Sequence, residues 1–533
     1  MNAHTHLRQT LTLIHGQPPG LETIHALARG ASLKLDESHW QAVEQCHQFL
    51  KKLIAERRRL YGITTGYGPL ADTYVDPSAS AQLQRGLVYH LSAGTGPLLN
   101  REQVRAIVAE RAITLAQGHS AVRPQTLARL LDCLTEDWLP EVPALGTVGA
   151  SGDLTPLAHI ALGLMGEGRV SVKGKSMPAD QALELMGWQP LDPQGKDALA
   201  LVNGTSAMTA IAALNGSRAQ RYLELSLQLT LLYGEIFEYQ REALQPELAQ
   251  VRPHPGQLWA QTRLLALSRD SRRLQEGDSL PPVLPENPSE AGTWQQQTLP
   301  QAPYTFRCAP QHLGAVADSL EQHNAVVERE ITAVTDNPVF FPQSQKVLHG
   351  GNFFGQQVAF AADHLNNALI ALAVHSERRL ARLTDPAQNG DLPAFLRGND
   401  NGLHSGFMGA QVTATALVAE LRTHAQPAST QSIPTNANNQ DVVTMGTIAA
   451  RRAYDSLDRL SEILAIEAMA LTQAYELKGS AQAGFSASSQ ALAGWVRERV
   501  VALGDDRPLA DDIQRLAHSF GERSLMPGEA GAR

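Results

Sequence analysis

Past residue 200 the chain runs long distances without a proline: 205–245, 311–337, 356–385, 411–426 and 441–479. Proline removes a backbone donor and clashes with the preceding turn, so its absence over such lengths leaves room for helices of many turns. In the last stretch Leu457, Leu460, Leu464 and Leu471 share one face, at steps of three, four and seven. "ALIALAVHSERRLARL" (368–383) has the same habit. A helix of this length buries its apolar stripe against neighbours, and the pattern predicts a bundle of long helices. Hydrophobic residues at 43% can supply the core, and aromatics at only 5% leave Ala and Leu to build it.

Before residue 200 the texture differs. Short apolar segments alternate with turns such as "YGITTGYGPL" and "GTVGASGDLTP", and "GRVSVKGKSMPA" (168–179) reads as a hairpin. The expected organisation is an N-terminal segment, 1–200, mainly α with a little β and many loops. A central long-helix bundle follows over 201–480, interrupted near 269–302 and 386–405, and then a C-terminal helical segment and tail, 481–533. The tail "SLMPGEAGAR" is expected to be disordered.

The net charge of −9 is mild for 533 residues, and the strongest basic cluster, "KKLIAERRRL" (51–60), reads as the solvated face of a helix. Nucleic acid is not an expected partner. Cys46, Cys133 and Cys308 lie far apart, with no thiolate metal spacing and no disulfide framework. The start lacks a continuous apolar run and no stretch approaches membrane-spanning length, so a cytoplasmic protein is expected.

"GTVGASGDLTPLAH" (146–159) carries two readings. In the plain one, Ser151 or Asp153 caps a helix starting in "LTPLAHIALGLMG". In the other, a tight backbone lets the amide nitrogen of Gly152 attack the carbonyl carbon of Ala150. Glycine suits the attacking position because no Cβ hinders it. Ser151 then loses its hydroxyl as water and leaves an exocyclic methylidene: an electrophile built from the chain.

This stretch resembles the prosthetic-group motif of the aromatic amino acid ammonia-lyases, in which Ala-Ser-Gly becomes 4-methylidene-imidazol-5-one (MIO). "YGITTGYGPL", "LVNGTSAMT", "YTFRCAPQ", "AVTDNPVF", "LHGGNFFGQ", "GFMGAQVTATAL" and "NANNQDVV" are similar to further family blocks, in family order over roughly 60–480. The resemblance implies an aspartase/fumarase-like helical lyase fold, a small amino acid substrate, and MIO formed autocatalytically from Ala150, Ser151 and Gly152. It implies no metal, no nucleotide and no membrane partner, and a homotetramer whose active sites are shared between subunits.

It also implies roles. Tyr61 matches the base that takes the β-proton, and Arg307 the guanidinium that meets the substrate carboxylate. Tyr304 matches a second tyrosine near the MIO, Asn203 and Asn337 match amides around the MIO and carboxylate, and Gln301 and Phe353 match lining positions. His90-Leu91 matches the pair facing the substrate ring, where tyrosine enzymes carry His-Leu, phenylalanine enzymes Phe-Leu and histidine enzymes Ser-His. An imidazole can hydrogen-bond a phenol and discriminate against a ring without one. Gln440 stands where histidine enzymes place a glutamate, and Tyr89 departs from a histidine that some tyrosine enzymes carry. The expectation is conversion of L-tyrosine to trans-4-coumarate plus ammonia. A histidine ammonia-lyase, a mixed tyrosine/phenylalanine lyase, a tyrosine aminomutase and a non-catalytic helical scaffold are the alternatives.

Overall fold

The computed structural model describes residues 9–276, 301–399, 402–479 and 484–522. The five proline-poor stretches become the helices Ser206–Ile236, Ala309–Ile331, Gln356–Thr384, Met408–Thr423 and Gly446–Leu477. Leu457, Leu460, Leu464 and Leu471 are fully buried, as their common face requires. The chain is mainly helical, and among the described residues no helix is long and apolar enough to cross a membrane.

The chain divides into two compact units. The first takes residues 1–217, 322–364 and 426–454. Its core surrounds the helix Arg101–Ala116, which opens on a reciprocal cap between Asn100 and Gln103 and is buried from Gln103 onward. That burial encloses Arg105, Glu110 and Arg111. Arg105 is satisfied by the carbonyls of Leu27, Ala31 and Leu134 and by Asp137. Small sheets edge this unit. Strands Arg169–Val172 and Lys175–Pro178 form the expected hairpin, and Trp138–Pro140 adds a third strand.

The second unit takes residues 218–321, 365–425 and 455–533. Its leucine-rich core includes Leu223, Leu313, Leu369 and Leu464. Within it Arg379 meets Glu467 through two nitrogens, Nε to Oε1 at 2.5 Å and NH2 to Oε2 at 2.9 Å, with both side chains fully buried.

Two local expectations change. The cluster at 51–60 does not lie on one helix face, because the helix Glu37–Ala55 ends before Arg57, which takes a left-handed φ of 55°. Asp153 precedes the helix Leu154–Leu164 but makes no side-chain cap to it; its carboxylate bonds elsewhere. Of the stretch near 269–302, residues 277–300 lie outside the described residues, as does the tail "SLMPGEAGAR".

Candidate active site

Residues 146–153 form a tight turn clamped on two sides. On one side Met445 N donates to Val148 O at 2.9 Å and Thr444 Oγ1 to Gly149 O at 3.0 Å. On the other, Asp153 N donates to Gly204 O at 2.7 Å. Gly152 has φ +72°, and a Cβ there would stand 2.0 Å from Gly204 O, so only glycine fits against the Gly204 backbone.

The Asp153 carboxylate is fully buried and accepts from Met208 N at 2.7 Å and from Thr447 Oγ1. Burial pushes its acid up to about 6, against the pull of those donors.

Beyond the turn, Gln440 Nε2 donates to Ser151 Oγ at 3.2 Å. Thr435 Oγ1 donates to Gln440 Oε1 at 2.8 Å, which fixes the amide with its NH2 toward the serine. The backbone beside it is unusual: Asn436, Ala437 and Asn438 all take left-handed φ, 54°, 52° and 61°.

A second loop brings the tyrosines. Gly68 N donates to Tyr61 Oη at 2.9 Å, an amide aimed at the oxygen that must carry charge when a tyrosine acts as base. Tyr67 lies edge-on to Tyr61, with ring centroids 6.4 Å apart, and burial raises its phenol well above the usual range. Fully buried Gln84 ties the loop down. Its Nε2 donates to Gly62 O at 2.8 Å and to Tyr67 Oη at 2.9 Å, and its Oε1 accepts from Leu199 N at 3.1 Å.

These elements enclose a cavity of about 720 Å³. Tyr61, His90, Leu91, Ala150, Ser151, Asn203, Asn337, Phe353 and Gln440 all line it, so one wall system gathers nine of the positions singled out from sequence. Gly152 is buried in the turn behind. Tyr67, Asn436 and Asn439 also line the cavity and had no motif of their own beyond the quoted blocks.

His90 Nδ1 donates to Gly86 O at 3.0 Å, since a carbonyl can only accept. In the neutral ring this leaves Nε2 as an acceptor. His349 stands edge-on to Tyr61 at 6.4 Å, and burial, with help from Arg59, lowers its basicity.

Gln301, Tyr304 and Arg307 belong to the second unit and are not among the lining residues. Tyr304 is 69% exposed. The Arg307 guanidinium lies 4.6 Å over the Tyr304 ring, and its Nε donates to Ala302 O at 3.2 Å.

Beneath the cavity lies a buried ionic group that the sequence did not mark. Lys196 Nζ meets Asp336 Oδ2 at 2.6 Å, with neither side chain exposed. Arg111, on the central helix, backs Gly204: a Cβ on that glycine would stand 2.2 Å from the guanidinium. Burial raises the acids of Glu110 and Glu330; the charge of Glu330 adds to the rise at Glu110, while the hydroxyl of Thr205 opposes the rise at Glu330.

The aromatic amino acid lyase family matches residues 20–498. A tyrosine ammonia-lyase of Cereibacter sphaeroides is 45% identical over 509 residues, 95% of this chain and 96% of that protein. A histidine ammonia-lyase of Symbiobacterium thermophilum is 40% identical over 507 residues, 95% of this chain and 96% of that one. The crystal structure of a tyrosine aminomutase from Streptomyces globisporus is similar at a TM-score of 0.89 and 36% identity, over 96% of this chain and 97% of that chain.

Proposed function

This chain belongs to the aromatic amino acid lyase family and is a carbon–nitrogen lyase, and on that premise we propose that it converts L-tyrosine to trans-4-coumarate and ammonia using MIO made from Ala150, Ser151 and Gly152. The observation that carries the substrate assignment is the pairing of His90 and Gln440 on the walls of the cavity that also contains Ser151. The free Nε2 of His90 accepts a phenolic O–H, while Gln440 offers no charge to attract an imidazole substrate. His90 is exposed in the single chain; once bound substrate covers its Nε2, leaving that acceptor unpaired under a plain phenyl ring would cost on the order of 1–3 kcal/mol.

The turn fits the prosthetic group. The clamp holds Gly152 where a side chain has no room, and the Gln440 amide donates to the hydroxyl that must leave as water. When formed, MIO supplies an electrophile for the substrate amine and makes a poor leaving group leave more readily. The remaining work falls to the chain's own side chains. Tyr61 takes the β-proton, helped by the Gly68 amide. Leu91 and Phe353 give the ring an apolar bed. Arg307 holds the carboxylate, with Tyr304 and Gln301 beside it. In a homotetramer with shared sites, a neighbouring chain supplies these three.

Separate assays with L-tyrosine, L-phenylalanine and L-histidine test the reading, following coumarate, cinnamate and urocanate by absorbance, with His90→Phe alongside. Tyrosine should have the highest kcat/KM, and the variant should lose roughly tenfold or more of its tyrosine preference. Preference for histidine would overturn the assignment. Because a structural relative is a tyrosine aminomutase, the same mixture is analysed for β-tyrosine, whose accumulation would make the chain a mutase.

A further inference from the structure

The six-residue helix Asp197–Val202 is buried along its whole length. Lys196 immediately precedes it and Asn203 immediately follows it, and both reach the same carboxylate. Lys196 Nζ donates to Asp336 Oδ2 at 2.6 Å; Asn203 Nδ2 donates to Asp336 Oδ1 at 3.3 Å and to Asn337 O at 3.2 Å. Asn337 N also donates to Asp336 Oδ1, at 2.7 Å.

Both neighbours of the Asn203 amide nitrogen are pure acceptors, so the NH2 group must face them and the amide orientation is forced. No partner for Asn203 Oδ1 is found among the described residues, while Asn203 lines the cavity beside Ala150 and Ser151. The atom offered to a ligand is therefore a carbonyl oxygen. It can accept from an amino group and cannot donate to a carboxylate.

A buried lysine–aspartate pair is seldom retained for stability, because desolvating both ions offsets their attraction, and an apolar pair of similar shape does as well. Burial lowers the basicity of Lys196 even here, with Asp336 pulling the other way. What the pair does provide is a fixed charged acceptor at the end of a rigid helix. Lys196 Nζ fixes Oδ2, and this leaves Oδ1 placed to accept from Asn203 and from Asn337 N.

We propose that Lys196 and Asp336 are positioning residues that hold Asn203 with its carbonyl oxygen toward the substrate's amino group. By accepting one N–H, Oδ1 orients the amine and leaves its lone pair free to attack. The inference rests on the lyase reading in one respect: the ligand is taken to be an α-amino acid.

The test compares two ligands that differ only in the amino group, L-tyrosine and 3-(4-hydroxyphenyl)propanoate, the second as a competitive inhibitor. In Lys196→Met, Asp336 loses the partner that fixes its Oδ2, and a buried carboxylate without that partner no longer holds Oδ1 in place for Asn203. The expected result is a fall of roughly tenfold in kcat/KM for tyrosine. The inhibition constant of the amine-free analogue should hold within about twofold, and the near-UV absorbance of the prosthetic group should be retained. In Lys196→Met/Asp336→Asn, the new amide keeps an Oδ1 for Asn203 and carries no charge, and most of the loss should be recovered.

If both ligands weaken together, or only the analogue weakens, or neither changes, the assignment of Asn203 to the amine is wrong. If Lys196→Met does not fold, the double variant alone decides. It should then fold and bind both ligands near normally, and selective loss of the analogue would refute the proposal. Turnover by the unaltered chain is measured first. Its absence overturns the lyase reading and this inference together, whereas normal turnover with the wrong ligand pattern overturns this inference alone.

Discussion

Replacing Gly152 by alanine acts on the narrowest part of the site, and its cost can be separated into two parts. Gly152 has φ +72°, and an alanine held in left-handed backbone costs about 1–2 kcal/mol. The added Cβ also lands 2.0 Å from Gly204 O and 2.3 Å from Gly204 C. These are backbone atoms that cannot rotate aside, so the turn and the 203–205 loop must separate. That overpacking costs about 1–3 kcal/mol, and loss of the bond from Asp153 N to Gly204 O adds about 1 kcal/mol. The sum, about 3–6 kcal/mol, approaches the whole stability of many domains.

Gly187 supplies the control. Its φ is +66°, and a Cβ there meets nothing within 4 Å, so Gly187→Ala bears only the first part, about 1–2 kcal/mol. Chemical unfolding gives the stabilities. Intact mass and near-UV absorbance report ring closure, which releases two water molecules: one as the Gly152 nitrogen condenses with the Ala150 carbonyl, one from Ser151. Gly187→Ala should show the lowered mass and the absorbance. Gly152→Ala should show neither, with the far-UV spectrum of a folded chain or of one that has lost the fold altogether. A folded Gly152→Ala protein with the lowered mass and unaltered stability would refute both the clamp and the chemistry assigned to it.

Tyr61→Phe should lower kcat by roughly 10²–10⁴-fold with the prosthetic-group absorbance intact, measured by coumarate formation; a smaller loss would put the base elsewhere. Gln84→Leu breaks the three bonds that hold the tyrosine loop. It should cost about 2–4 kcal/mol on denaturant unfolding and lower kcat as well, and a purely thermodynamic effect would deny it a part in placing Tyr61. The fold holds the Asp153 acid up at about 6 against an ordinary 3.8. As pH rises from about 4 to about 6 the unfolded chain therefore ionises first, and folding stability falls by on the order of 3 kcal/mol from this group. Glu110 and Glu330 contribute in the same sense, so the informative quantity is the difference between the unaltered chain and Asp153→Asn. The variant should lack that part of the slope, and identical slopes would contradict the burial argument.

Much of the architecture was legible because its determinants are local or periodic. Helix over 356–384 or 446–477 needs only the absence of proline and a repeated apolar stripe, and both are visible in one dimension. The Ala150-Ser151-Gly152 stretch stood out for a different reason, since few chemistries call for a small residue, a β-hydroxyl and a glycine in that order, and the fold puts Ala150 and Ser151 on the cavity wall. Where local signals misled, a distant partner had intervened. Asp153 has the composition of a helix cap, yet its carboxylate turns to Met208 N and Thr447, hundreds of residues away for the latter. The basic cluster at 51–60 looked like one helix face until the helix ended at Ala55.

By itself, then, the sequence determined the long helices, the small-residue turn ahead of Leu154, and the loop that carries Tyr61 and its glycines. Only the tertiary structure decided that Lys196, Asn203 and Asp336 share one carboxylate, that Gln84 holds Tyr67, and that Arg111 stands behind Gly204. Lysine, aspartate and glutamine carry no positional signal in a sequence, because on most surfaces water satisfies them. Their roles arise when folding removes the water and leaves each polar atom dependent on the few partners the fold brings within reach.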